Sequence, residues 1–446
     1  MVRGACLILV VALSACGARS QLLGETEEEP STTTSSSSSG GGGGSVVPPP
    51  DPCVPVAAGD AIELLSFSDR HATAPSVALS PDRSRLFVQA LASGGASLLH
   101  PDIQLAELAV GADWPDVKIE SGPATFGFDA HGWGVLSPSP PGRDELILGW
   151  HGDPGGPSRP MLRRLDLATN QGFDQKDVAD SAESVLDVAP GADAYAVAWR
   201  HVSGDAGWAP AVGRFDLDAA PSSSPVLLTS PREYPGRSVA LTWTGSTYLA
   251  AIAFDTCLPD EAALCREHAV VVDDLGAELG AAKIVATFPL RPDHAARRPY
   301  LASHGGRTYL AWAESLPDGE PATVRLTELA ADGAPIGAPL DVAADLPLLS
   351  RPTMIAGDGG VTIAWPETAN HALPEHVVGH DALVITQLDA DLEVLAARVS
   401  VPIPRFETYG PSYGVALAEP RSLFFVIGAR LPSGYDGVFG ARFDCR

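Results

Sequence analysis

Apolar and polar residues alternate in short runs along most of the chain, and clusters of Gly, Pro, Asp and Asn separate the runs. Residues 297–342 show the pattern most plainly. PYLAS begins at Pro299 and is followed by a Gly305-Gly306 turn, then by YLAWAES from Tyr309. A Pro317-Asp318-Gly319 turn leads to TVRLTEL from Thr323, and Asp332-Gly333 leads to PLDVA from Pro339. Alternation with a period of two between turn residues predicts strands and hairpins, not helices.

The four-stranded unit recurs. A middle strand starts at Arg85, Leu146, Tyr195, Tyr248, Tyr309, Val361 and Leu423. A third strand starts at Ile103, Met161, Ala211, His268, Thr323, Ala382 and Gly437. Inner strands precede the middle ones, as in PSVALSP from Pro75 and RPTMIAG from Arg351. Outer strands follow the third ones, as in KIVATF from Lys283. A repeat of about 50 residues built from four strands predicts an all-β fold, a single seven-bladed β-propeller of four-stranded blades over 53–446. The last repeat lacks an outer strand, while Ala61–Asp69 is a spare strand ahead of the first. The spare strand is expected to complete the last blade and close the ring, which removes both sheet edges. Trp150, Trp199, Trp312 and Trp365 recur late in the middle strands, a repeat position that points to packing between blades. Asp166, Asp216, Asp273, Asp389 and Asp444, near the third-strand ends, read as turn formers.

Before the repeats the pattern changes. Met1–Cys16 carries a short positive region at Arg3 and an apolar run, Ala5–Leu13, too short for a bilayer span of about 20 residues. Leu13-Ser14-Ala15-Cys16 resembles the lipobox of bacterial lipoproteins. The resemblance implies cleavage after residue 15, a diacylglycerol on the Cys16 thiol and an acylated Cys16 amine. Gly17 stands where an inner-membrane retention Asp occurs in that family, which favours the outer membrane. Residues 16–52 contain STTTSSSSS, five consecutive glycines from Gly40 and PPPDP. No apolar period exists there, so this stretch is expected to be a disordered tether with a reach of roughly 30–35 Å.

Composition narrows the partners. The net charge of −26 repels phosphate backbones and excludes nucleic acid as a natural partner. Lipidation would place the domain outside the cytoplasm, where disulfides persist. After loss of Cys6 with the signal peptide and lipidation of Cys16, the cysteines left are Cys53, Cys257, Cys265 and Cys445, which allow three pairings. Cys257 with Cys265 would flank a hairpin, and Cys53 with Cys445 would meet at the ring seam. No C-x-x-C pair indicates zinc. His371, His376 and His380, with Glu375 and Asp381, read as a solvated polar loop; the alternative is a metal site on the three imidazoles, although the spacing is not H-E-x-x-H.

His131, His304, Tyr300 and Asp358 are candidates for the ring centre, yet nothing in the sequence orders them into an acid–base pair. No G-x-S-x-G, P-loop or Rossmann fingerprint stands in a fitting context, so no cofactor is expected. Leu79-Ser80-Pro81-Asp82 with Arg85-Leu86-Phe87-Val88 resembles the S-P-D-G motif of TolB-type propeller repeats, with Arg83 in place of the Gly; the likeness implies a role in envelope interactions. The face loops expected to be long are Ser93–Asp102, Ser137–Glu145, Thr256–Glu267 and Pro366–Asp381. The resulting expectation is a monomeric, lipid-anchored envelope or surface lipoprotein, periplasmic or outward-facing. Its non-catalytic propeller binds a protein or glycan through these loops. The alternative is a hydrolase or lyase with its site on the ring axis.

Overall fold

The chain is described from a computed structural model. It describes residues 55–59, 62–67, 70–94, 97–111, 114, 120–121, 129–153, 159–169, 171–173, 176–179, 182–202, 208–227, 234–255, 266–272, 283–289, 299–314, 322–346, 352–357, 359–367, 378–408, 413–419, 422–430 and 436–445. The proposed signal peptide and tether, 1–52, lie outside the described residues.

Strands β1 (Pro55–Ala57) and β2 (Ile62–Phe67) open the chain. The first repeat follows as β3 (Arg70–Leu79), β4 (Arg85–Gly94), β5 (Ser97–Ala109) and β6 (Glu120–Ser121). The second is β7 (Asp129–Pro138), β8 (Glu145–Asp153) and β9 (Arg159–Asp166), edged by the short β10 (Gln171–Gly172) and β11 (Lys176–Asp177). Next come β12 (Ala182–Pro190), β13 (Tyr195–Val202), β14 (Trp208–Phe215) and β15 (Val226–Leu227). The fourth repeat is β16 (Tyr234–Trp243), β17 (Tyr248–Asp255), β18 (Arg266–Val272) and β19 (Lys283–Pro289). The fifth is β20 (Tyr300–His304), β21 (Arg307–Glu314), β22 (Ala322–Leu329) and β23 (Pro335–Leu346). The remainder is β24 (Thr353–Gly357), β25 (Gly360–Glu367), β26 (Val378–Leu388), β27 (Val394–Thr408), β28 (Tyr413–Glu419), β29 (Ser422–Arg430) and β30 (Asp436–Cys445). All strand pairs are antiparallel meanders, and the result is an all-β propeller with four-stranded blades.

The expected count of seven separate blades is corrected. Among the described residues, hydrogen bonding gives six sheets, and the largest has nine strands. It joins β24–β27 to β28–β30 and the N-terminal strands through one register pair, Glu407 with Arg430. β27 runs for 15 residues and stays paired with β26 to its end, Thr408 opposite Val378; Glu407, opposite Gly379 on that side, meets Arg430 of β29 on the other.

The spare N-terminal strand pairs as the outer strand of the last unit. β1 sets Pro55 opposite Cys445, and β2 runs from Ile62 opposite Gly440 to Phe67 opposite Asp436, with a bulge between Glu63 and Leu65. The same unit packs against the first repeat. Leu64, Leu65, Phe424, Val426 and Val438 share one cluster with Leu86, Val88, Ala106 and Leu108.

The core therefore lies in seams between neighbouring sheets. Leu146, Leu148 and Trp150 of β8 face the first repeat, while Ile147 of the same strand faces the third. Middle strands thus bury both faces, which explains why they read as nearly continuous apolar runs. Trp150, Trp199, Trp312 and Trp365 are all at most 2% exposed. Trp150, Trp199 and Trp365 each fill such a seam, and Trp199 meets Phe215 edge-on at 6.2 Å between ring centroids. Each buried large side chain contributes about 1.5–3 kcal/mol.

The Ser80-Pro81-Asp82 motif forms the β3–β4 turn, closed by Ser80 N donating to Arg85 O at 2.9 Å. Asp82 accepts from Ser80 Oγ, from Ser84 Oγ at 2.7 Å and from Ser84 N at 3.1 Å. The Ser80 bond, then those from Ser84, hold its carboxyl down at about 2. Arg83 sits at φ 58, left-handed backbone that suits the Gly of the TolB-type motif. Relief of about 1 kcal/mol of strain is partly offset by the greater chain entropy of Gly. Arg83→Gly is expected to raise stability by about 0.5 kcal/mol in denaturant titration, and a loss of stability would contradict this account.

Candidate functional site

The strand order gives the ring two unlike faces. Inner strands end and middle strands begin on one, the turn face, where third strands also end. On the other, the loop face, middle strands pass to third strands and outer strands pass to the next inner strand.

The turn face is held by local hydrogen bonds. Asp166 Oδ1 accepts from Ala168 N and Thr169 N, at 2.8 and 3.2 Å. Asp216 does the same for Asp218 and Ala220, and Asp389 for Asp391 and Glu393, all at 2.9 Å. These three are turn formers, as their spacing predicts. Asp444 instead accepts from Ser422 Oγ and Arg442 Nε within its own sheet, and Asp273 lies outside the described residues. Ala219 and Leu392 take positive φ at the turn position that Gly333 fills in the fifth repeat.

Arginines on the turn face reach across the seams. Arg85 donates to Leu167 O at 3.0 Å and pairs with Glu107 and Asp144, each at 3.3 Å. Arg143 donates to Leu217 O at 2.9 Å. Arg164 pairs with Glu145 at 3.1 Å and crosses to Asp218 at 3.2 Å. Arg307 holds both oxygens of Glu328, at 2.8 and 2.6 Å, and lies 3.8 Å from Asp391. That grip keeps the Glu328 carboxyl below its ordinary range. Arg442 donates to Val110 O across the closing seam at 3.4 Å. Each arginine thus satisfies a strand-end carbonyl or carboxylate of the next sheet. Sequence reasoning missed this set, although Arg85, Arg143 and Arg307 stand at or just before the start of middle strands; Arg164 and Arg442 lie in third strands.

Inner strands are stitched in a similar way. Ser76 Oγ accepts from Leu136 N at 2.9 Å, and Asp187 Oδ2 accepts from Leu241 N at 2.7 Å. Tyr248 donates its hydroxyl to Ala194 O at 2.6 Å, and Tyr195 shares a 2.8 Å hydrogen bond with Ser139. Burial pushes the Tyr195 hydroxyl pKa up, so it stays protonated. These polar groups are committed to ring geometry, not to a convergent reactive centre.

The ring-centre candidates do not meet. Tyr300 opens β20 opposite Ala311 and packs on the seam cluster beside Met354. His304 closes the same strand, about 13 Å further along. His131 lies near the loop-face start of β7, opposite His151, while His304 borders the turn face. Asp358 lies outside the described residues. His380 and Asp381 belong to β26; His371, His376 and Glu375 lie outside the described residues. Among the described residues no group of three His, Cys, Asp or Glu side chains is placed to hold a metal ion. Cys16, Cys53, Cys257 and Cys265 lie outside the described residues, and Cys445 ends β30.

The expected loops divide. Ser93–Asp102 is corrected to a hairpin, since β4 runs to Gly94 and sets it opposite Ser97. Ser137–Glu145 is an inner-to-middle turn on the turn face, with Ser139 N donating to Glu145 O at 3.1 Å. Two stretches bridge middle and third strands on the loop face: 256–265, between β17 and β18, and 368–377, between β25 and β26.

No protein-family model matches the chain, and no curated protein matches it. Among solved structures it is similar to a protein of unknown function from Dyadobacter fermentans. That likeness has a TM-score of 0.48 and 10% identity, and covers 87% of this chain and 98% of the other. It is also similar to prolyl endopeptidase, with a TM-score of 0.47, 13% identity and coverage of 84% and 47%. The Dos1 propeller scores 0.43 at 11% identity, with coverage of 85% and 94%. At these values the likenesses carry no functional argument, and the propeller assignment rests on the strand topology and the closed seam.

Proposed function

We propose that this protein is a lipid-anchored envelope lipoprotein whose propeller binds a protein or glycan partner through its loop face, without catalysis. The reading takes Cys16 as the lipid site, 17–52 as a tether, and the outer membrane as the address. It also takes Cys53 with Cys445 and Cys257 with Cys265 as disulfides, in a monomer. One observation carries the binding assignment: the middle-to-third connections differ in length from repeat to repeat. Inner-to-middle turns stay short all round the ring, while middle-to-third connections range from 95–96 to 256–265 and 368–377. Loops of unequal length on a regular scaffold make a shaped recognition surface, because the strands themselves are used up in seams.

The experiment compares three purified proteins against envelope extract, a glycan array and a panel of hydrolase substrates. They are the full chain, a variant with 256–265 and 368–377 each replaced by Asn-Gly, and the turn-face variant Ser246→Lys. The expected result is one saturable partner, lost in the loop variant and kept in Ser246→Lys. Turnover of any substrate, abolished by a single substitution on the ring axis, would overturn the reading in favour of a hydrolase or lyase. For the anchor, Cys16→Ser is expected to abolish fatty-acid labelling and leave the precursor uncleaved.

A further inference from the structure

Each middle strand has one inner position whose side chain faces the next repeat. When the strands are aligned on the pairs that close their inner-to-middle turns, Gly149, Ala198, Ala251, Ala311, Ala364 and Val426 occupy it. All six are apolar and buried. Small residues there let neighbouring sheets close up: a Cβ on Gly149 would meet Val185 Cγ1 at 2.7 Å. In the first repeat the same position is Gln89, 1% exposed. Here the second repeat gives way instead. Gln89 abuts Gly134 of β7, where any Cβ would collide with its Nε2.

A side-chain amide carries two donor hydrogens and an acceptor oxygen, and buried amides are hydrogen-bonded. Among the described residues neither Oε1 nor Nε2 of Gln89 has a hydrogen-bond partner, and both atoms are enclosed. Polar groups stand beside them. Ser76 is directly opposite Gln89 on β3, so both side chains leave the same face of the sheet, toward the second repeat. Ser76 Oγ accepts from Leu136 N at 2.9 Å, which leaves its hydroxyl hydrogen to donate. On β7, His131 pairs with His151 and Val135 with Gly149, so residues 132–134 stand opposite residue 150 alone. Such a bulge takes backbone groups out of the ladder, and Gly134 belongs to it.

We propose that the seam between the first and second repeats holds one bound water molecule, bridging the Gln89 amide to Ser76 and to the backbone of the β7 bulge. Water both donates and accepts, as the two ends of an amide require. A metal ion would engage Oε1 alone and leave the amide hydrogens without an acceptor, and Gln89, Ser76, Gly134 and Leu136 bring no charge to hold one. The enclosure of Gln89 restricts the occupant to the size of water. The test is a high-resolution crystal structure of the full chain beside that of Gln89→Met, which keeps the length and removes the amide. The expected result is a density peak at about 2.7–3.2 Å from the Gln89 amide and from Ser76 Oγ, absent in Gln89→Met. An empty seam, or direct protein hydrogen bonds to both amide atoms, would overturn the proposal. So would a peak ringed by roughly six oxygens at 2.3–2.6 Å, which marks a cation. In solution, magnetic relaxation dispersion of water is expected to count one long-lived water fewer in Gln89→Met than in the parent, and an equal count would overturn the proposal. If Gln89→Met does not fold, the parent structure decides alone.

Discussion

Trp365→Ala is expected to cost about 3–5 kcal/mol, read as a lower denaturant midpoint with an unchanged slope. Trp365 is fully buried and fills the seam between the fifth repeat and β24–β27, against a cluster that includes Val324, Leu326 and Met354. Its removal leaves a cavity between two sheets whose backbones are fixed by their own ladders, so the site cannot collapse. Its indole Nε1 also donates to Glu367 Oε1 at 2.8 Å, and Glu367 pairs with Arg398 at the same distance. Truncation therefore leaves a void and takes away one of the two partners of the Glu367 carboxylate. Trp365→Phe keeps most of the volume and is expected to recover more than half of the loss. Equal losses for Ala and Phe would show that the hydrogen bond, not the packing, dominates.

Leu64→Asp is expected to be the more damaging change, above about 4 kcal/mol, because it puts an unpaired carboxyl into the closing seam. Leu64 is the extra residue of the β2 bulge and is 4% exposed. It packs so closely on β30 that a Cβ on Gly440 would meet its Cδ1 at 2.7 Å. Hydrogen exchange is the sharper measurement. Protection is expected to fall in β30 and β3, on either side of the seam, before it falls in β13 or β14. Its neighbour Glu63 is exposed, so Glu63→Gln is expected to stay within about 0.5 kcal/mol of the parent. Uniform loss of protection in the Leu64 variant would show that the ring unfolds as one unit and that the seam has no separate stability.

Much of this fold was legible in the residues. Every middle and third strand of the sequence reading is present, because turn residues and period-two alternation are local properties. The closing strand was legible by subtraction, one strand missing at one end and one spare at the other. The sheet count was not, because the pairing of Glu407 with Arg430 depends on how far β27 extends, which no local pattern encodes. The seam tryptophans were readable from their shared repeat position. The cross-seam arginines were not, since Arg442 and Val110 meet only when the ring closes. The ring-centre candidates failed for a related reason: His131 and His304 both border inner strands, but at opposite ends, and strand direction separates them. Arg83 shows the reverse case, in which a departure from a motif marked a backbone conformation the structure then displays.

The closing strand also sets a timetable. Among the described residues β1 and β2 pair only with β30, so these two strands must wait for residues 436–445 before they have a partner. The entropy of joining such distant segments rises only slowly with their separation, so the cost in stability is modest. The cost in time is larger, because folding slows when decisive contacts are far apart in sequence. Until the last strands are in place, the apolar flank that includes Leu86 and Val88 lacks Phe424, Val426 and Val438, its cover across the closing seam. A ring not yet closed leaves that apolar flank without its cross-seam cover, and such open edges and flanks are where partly folded chains associate.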